Sequence, residues 1–137
     1  ILGILAAFAL PRFADIGADA RIATLESLKG AMRSAAGTAH SLAILENKTD
    51  CLTDPTVEMG GETVTMRCGY PCPHPNGIGK AVDATGNYTF DGGNCSGTLG
   101  GVYVQITDAP DPDNCKIHYT SARQDREPGI TLTTSGC

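Results

Sequence analysis

The first ten residues, Ile-Leu-Gly-Ile-Leu-Ala-Ala-Phe-Ala-Leu, carry no charge, and they lead through Pro11 into an alanine-rich amphipathic stretch that ends near Leu45. Such a run needs an apolar surrounding, either lipid or other protein. Ten helical residues rise about 15 Å, whereas a bilayer core takes about 20 apolar residues to span. Ile1 to Leu10 therefore reads as half of a segment, and the natural chain is expected to continue upstream. A secretory signal fits less well, because no basic region precedes the run and Pro11-Arg12-Phe13 is not a small-residue cleavage site.

Beyond Pro11, Leu25, Leu28, Met32, Ala35, Ala39 and Leu42 recur at steps of three and four and draw one apolar stripe along a helix. Glu26, Lys29 and Arg33 fall between them at helical spacing, where opposite charges are neighbours worth about 0.2–0.5 kcal/mol per pair. Pro11 removes the donor that would bond the Ala7 carbonyl and its ring crowds that turn. The helix is expected to bend or partly open between Gly3 and Pro11.

From Asn47 onward the texture changes to short alternating runs. Val57-Glu-Met59 and Val64-Thr-Met66 flank Gly60-Gly61, a pair that supplies the positive backbone angles of a two-residue hairpin turn. Val102, Val104 and Ile106 alternate with polar neighbours, as do Ile117 and Tyr119, and Ile130 with Leu132 closes the series. Asp108 to Asn114 and Gln124 to Gly129 are short connections rich in turn formers, so the strands are expected to run as an antiparallel meander. Its apolar face needs cover, and the helical stripe supplies it. The expected fold is α+β: a long N-terminal helix, kinked or partly melted near Gly3 and Pro11, packed on an antiparallel sheet and stapled by disulfides. Residues 1–24 are expected to protrude, and 25–137 to form the head.

A net charge of −5 offers no basic field for nucleic acid and no polybasic membrane patch. His40, His74 and His118 are scattered, and no nucleophile motif or phosphate-binding glycine loop accompanies them. No enzymatic activity and no cofactor are expected. Cys68, Cys72 and His74 lie close enough in sequence to be weighed as zinc ligands, but the spacing is not that of a paired zinc motif and disulfides are preferred. Asp108, Asp111, Asp113 and Asn114 form an acidic loop without EF-hand spacing or its terminal glutamate; a solvated turn broken by Pro110 and Pro112 is preferred over a calcium site. Asn47, Asn87 and Asn94 open glycosylation-type triplets, which arise often by chance and carry no expectation here.

The run Ile1 to Phe13, followed by Asp19-Ala-Arg21, Thr24-Leu-Glu26 and Lys29-Gly-Ala31, resembles the N-terminal helix of bacterial type IV pilins, and within them the mannose-sensitive haemagglutinin kind of type IVa pilin. Gly69-Tyr-Pro71 and the Cys115 to Cys137 end are also similar to that group. The resemblance implies a subunit whose apolar helix sits in the inner membrane before assembly and in the filament core afterwards. The core contacts would be Ile1, Ile4, Leu5, Phe8 and Leu10, with Gly3 and Pro11 letting the helix stretch. The family's cleavage site and characteristic glutamate would lie upstream of Ile1.

Six cysteines in a loop-rich region fit an oxidising compartment such as the bacterial periplasm. Cys115 paired with Cys137 matches the pilin pattern and closes a loop of about 20 residues, worth about 3 kcal/mol if unstrained. Cys51, Cys68, Cys72 and Cys95 allow three pairings among themselves, which sequence leaves open. Cys51 with Cys68, across the hairpin, and Cys72 with Cys95 is the preferred one. The expectation for function is the major structural subunit of an extracellular type IV pilus serving adhesion or motility. Its partners would be copies of itself, the inner membrane before assembly and the pilus assembly machinery. A minor pilin or a type II secretion pseudopilin is the alternative, although the pseudopilin tyrosine-proline-threonine run is missing after the helix.

Overall fold

A computed structural model describes residues 17–96 and 100–137 of the chain. The element α1 (Leu2–Leu45) is followed by β1 (Thr56–Met59), β2 (Glu62–Arg67), β3 (Tyr70–Pro71), α2 (Ile78–Ala81), β4 (Tyr88–Gly92), β5 (Gly101–Ile106), a 3₁₀ turn (Pro112–Asn114), β6 (Lys116–Thr120) and β7 (Ile130–Thr133). The class is α+β, with all strand pairs antiparallel. Bending or opening at Gly3 and Pro11, and the contacts of Ile1, Ile4, Leu5, Phe8 and Leu10, lie outside the described residues.

The buried face of α1 consists of Leu25, Leu28, Met32, Ala36, Ala39 and Ala43. Ala35 and Leu42, expected on the stripe, sit at its margin and are only half-buried. The correction is geometric: a stripe that keeps to one side of a straight helix must advance by about 3.6 residues per turn, and steps of three taken too often walk off it. Between Gly17 and Thr24 no side chain is fully buried; the half-buried Ile22 packs on the margin of the larger core, and the fully buried stripe begins at Leu25.

The strands form a meander, β4-β5-β6-β7, and a separate three-stranded sheet, β1-β2-β3. In the meander the apolar residues stand opposite one another: Phe90 faces Val104, Val104 faces Ile117, Ile117 faces Leu132, Val102 faces Tyr119, and Tyr119 faces Ile130. Period-two alternation thus delivers a continuous apolar sheet face. It meets Leu25, Leu28, Met32 and Ala36 in the larger core cluster. Ala39 and Ala43, one and two turns further along, meet Val57, Val64 and Met66 of the smaller sheet. One helix thereby closes both cores, each buried Leu, Ile, Val or Met side chain contributing about 1.5–3 kcal/mol.

The hairpin β1-β2 turns at Gly60 and Gly61, both at positive φ (56° and 83°), with Met59 paired to Glu62. Two strands were not anticipated from sequence, nor were the short α2 and the 3₁₀ turn. β3 is two residues long and contains proline, and β4 holds one edge of the meander through Tyr88 and Phe90.

Candidate functional site

Gly69, Tyr70 and Pro71, between the second and third cysteines, form the junction of helix and sheets. Gly69 adopts φ +81° and its carbonyl lies 2.6 Å from His40 Nδ1, on α1. The His40 ring stacks on Tyr70 with centroids 4.0 Å apart and planes within 3°. On the other side, the fully buried Tyr119 hydroxyl of β6 donates to the Pro71 carbonyl at 2.7 Å. Three residues thus hold α1, the short sheet and the meander together. Burial pushes the Tyr119 phenol far above its ordinary range, with Tyr70 adding to the effect. Burial also raises Tyr70, and the Glu127 carboxylate contributes.

Two of the three disulfides flank the junction, and the third lies further back along α1. Cys51 is joined to Cys68, Cys72 to Cys95, and Cys115 to Cys137, with Cα–Cα distances of 4.3, 5.1 and 4.8 Å. Between the first two bridges lies Arg67, buried, whose guanidinium contacts Asp54 Oδ1 at 2.9 Å and the Ser96 carbonyl at 3.4 Å. Removing a partner from such a charge is costly, because the guanidinium cannot neutralise itself. Asp50 caps the loop that carries Cys51. The Thr53 backbone N–H, then its hydroxyl, then the Leu52 N–H hydrogen-bond the Asp50 carboxylate and hold it below the usual carboxylate range. The third bridge is tied to the helix as well, since Arg21 Nη1 donates to the Cys137 carbonyl oxygen at 2.9 Å.

The remaining sequence candidates separate. Cys68 and Cys72 belong to different disulfides, which leaves His74 alone; its Nδ1 accepts the Asn76 N–H at 3.0 Å. In the acidic loop, Asp111 accepts from Asn114, Asp113 from Gln105 and Asp108 from Asn87, so the carboxylates turn to separate partners. Among the described residues no group of three acidic, histidine or cysteine side chains is placed to hold a metal ion. Among them too, no helix is long and apolar enough to cross a membrane.

Comparison with protein-family models, with curated proteins and with solved structures returns no match to this chain. Arg67 and Asp54 were not singled out in the sequence, and Arg21 only as part of the pilin-like helix, because each acts on a group distant along the chain. His40 was visible only as a helical histidine; its partners, Gly69 and Tyr70, came from the segment already noted for its likeness to pilins.

Proposed function

We propose that this chain is a structural subunit of a bacterial extracellular filament of the type IV pilin kind, assembled from copies of itself through the apolar leading part of α1. The observation that carries the reading is the mismatch along that helix. Its fully buried stripe begins at Leu25, the turns from Gly17 to Thr24 give the larger core only the half-buried Ile22, and the ten residues at the start of the sequence have no charge. Leaving six large apolar side chains among them in water costs about 1.5–3 kcal/mol each relative to burial, which favours lipid first and neighbouring helices afterwards. Ile1, Ile4, Leu5, Phe8 and Leu10 supply the contacts, Gly3 and Pro11 the compliance, and 25–137 the disulfide-stapled head.

The inner membrane holds the subunit before the assembly machinery passes it into the filament, and the outer surface of the head serves adhesion or motility. Leu5→Asp and Phe8→Asp test the reading. Electron microscopy of the expressing cells should show filaments lost while the variant protein keeps the parent's melting temperature. Filaments at normal yield from either variant overturn it.

A further inference from the structure

Behind the meander, on the face turned away from α1, an open cleft of about 480 Å³ is lined by Gly101, His118, Thr120, Arg123, Arg126 and Glu127. Its two arginines are arranged against electrostatic convenience. Arg123 N–H donates to the Arg126 carbonyl at 3.0 Å and Arg126 N–H to the Arg123 carbonyl at 3.2 Å, an isolated antiparallel bridge across the Gln124-Asp125 turn. Residues that exchange both bonds stand directly opposite, with their side chains on the same side and Cβ atoms about 4.5–5.5 Å apart. Like charges in that position repel, and a guanidinium cannot escape by losing its proton. Glu127 shares the cleft, yet the ion pairs among the described residues are Lys48 with Glu46, Arg67 with Asp54 and Lys80 with Glu62. An oxyanion seated between the guanidiniums would convert the repulsion into charge-assisted hydrogen bonds, the geometry that arginine forks favour.

The rest of the cleft is shaped to a wider body than a free ion. A Cβ at Gly101 would fall on His118 Nε2, and one at Gly129 would lie 2.6 Å from Thr120 Oγ1. Glycine at 101 lets the imidazole lie flat against β5, and glycine at 129 lets its N–H donate to Thr120 Oγ1 at 2.9 Å while that hydroxyl reaches the Gly129 carbonyl at 3.4 Å, so the hydroxyl faces the cleft as an acceptor. The His118 ring is held from the other side by Tyr103, stacked at 4.3 Å, over which Lys116 Nζ sits at 4.2 Å. Burial, then the Lys116 charge, lowers the His118 pKa, and a neutral imidazole presents both a donor and an acceptor. A paired cationic end joined to a floor of hydroxyl, imidazole and backbone groups, in a volume within the range of small-ligand sites, matches a polar ring that bears an anionic group.

We infer that this cleft binds an acidic sugar residue, its carboxylate or sulfate held between Arg123 and Arg126 and its hydroxyls facing His118 and Thr120. The inference is independent of filament assembly. The competing occupant is a second copy of this chain, presenting its Asp108 to Asp113 loop.

The test is a nuclear magnetic resonance titration of the isotope-labelled full chain in detergent with galacturonate, a sulfated glucose, plain glucose and inorganic sulfate. Saturable shifts of the Gly101, Thr120 and Gly129 amides are expected with galacturonate or the sulfated sugar, and none with glucose. Arg126→Gln should weaken binding about tenfold, the scale of one lost charge-assisted contact, without lowering the melting temperature, because it relieves the repulsion. The inference is overturned if neither acidic sugar saturates the site, if glucose binds as well, or if inorganic sulfate binds as tightly as the sulfated sugar. It is equally overturned if the same amides shift with protein concentration alone, which would give the cleft to a second copy.

Discussion

Tyr119→Phe removes one oxygen atom from the centre of the head and tests how the junction is held. The hydroxyl is fully buried and donates to the carbonyl of Pro71, itself buried, at 2.7 Å. Taking away the donor strands the acceptor, which costs about 1–3 kcal/mol. For a chain of this size each kcal/mol corresponds to about 3–5 °C, so the melting temperature should fall by about 3–15 °C. The same residue carries a pH signature. Its native pKa is raised by burial, so in the unfolded chain the phenol loses its proton at about pH 10 while the native state keeps it. The unfolded state then binds fewer protons, and stability falls as the pH climbs past that value. The contribution is present in full below about pH 10 and declines by about 1.36 kcal/mol per pH unit above it. Tyr70 and Tyr88, both raised by burial, keep their share in the variant. Denaturant titrations across the alkaline range should therefore show a slope smaller by one proton in Tyr119→Phe. An unchanged melting temperature together with an unchanged slope would refute the assigned role.

Three further substitutions probe other parts of the fold. Met32→Ala, at a fully buried position on the helix face that closes the larger core, should cost about 2–5 kcal/mol in chemical denaturation. Cys137→Ser should destabilise the head by about 2–5 kcal/mol under oxidising conditions, and the difference from the parent should vanish when both are melted in reductant. Gly69→Ala places a side chain at φ +81° and a Cβ 3.2 Å from His40 Nδ1; a loss of about 1–2 kcal/mol is expected from the backbone alone, read as an earlier denaturation midpoint.

Legibility in the sequence followed the range of the interaction. The hairpin at Gly60-Gly61 was readable because both its strands and its turn lie within one short window. The helix and the strands of Val102, Ile117 and Ile130 were readable for the same reason, from a period of about 3.6 or two residues. The two helix positions displaced from the expected stripe, Ala36 and Ala43, are alanines among alanines, where composition cannot mark the face. β3 escaped because a proline-containing pair is too short to show a period, and β4 because Tyr88-Thr-Phe-Asp-Gly offers barely two repeats. The cysteines were visible, yet four of them left three pairings open; in the fold, the turn at Gly69 brings the hairpin end and the Cys51 loop together. Least visible was the cleft. Its residues come from Gly100 to Gly129, and His118 gave no sign in sequence that Gly101 on the next strand had made room for it.

The bond from Arg21 to the carbonyl of Cys137 sits where α1 is about to enter the head. A pull on the leading helix reaches this latch before it reaches Leu25, and the covalent loop behind it ends at Cys115, beside the first residue of β6. Tension can thus pass from helix to sheet along a charged hydrogen bond and a sulfur bridge. Ile22, the next residue, already packs on the larger core, so a load on the helix divides at this point between the charged bond and apolar contacts.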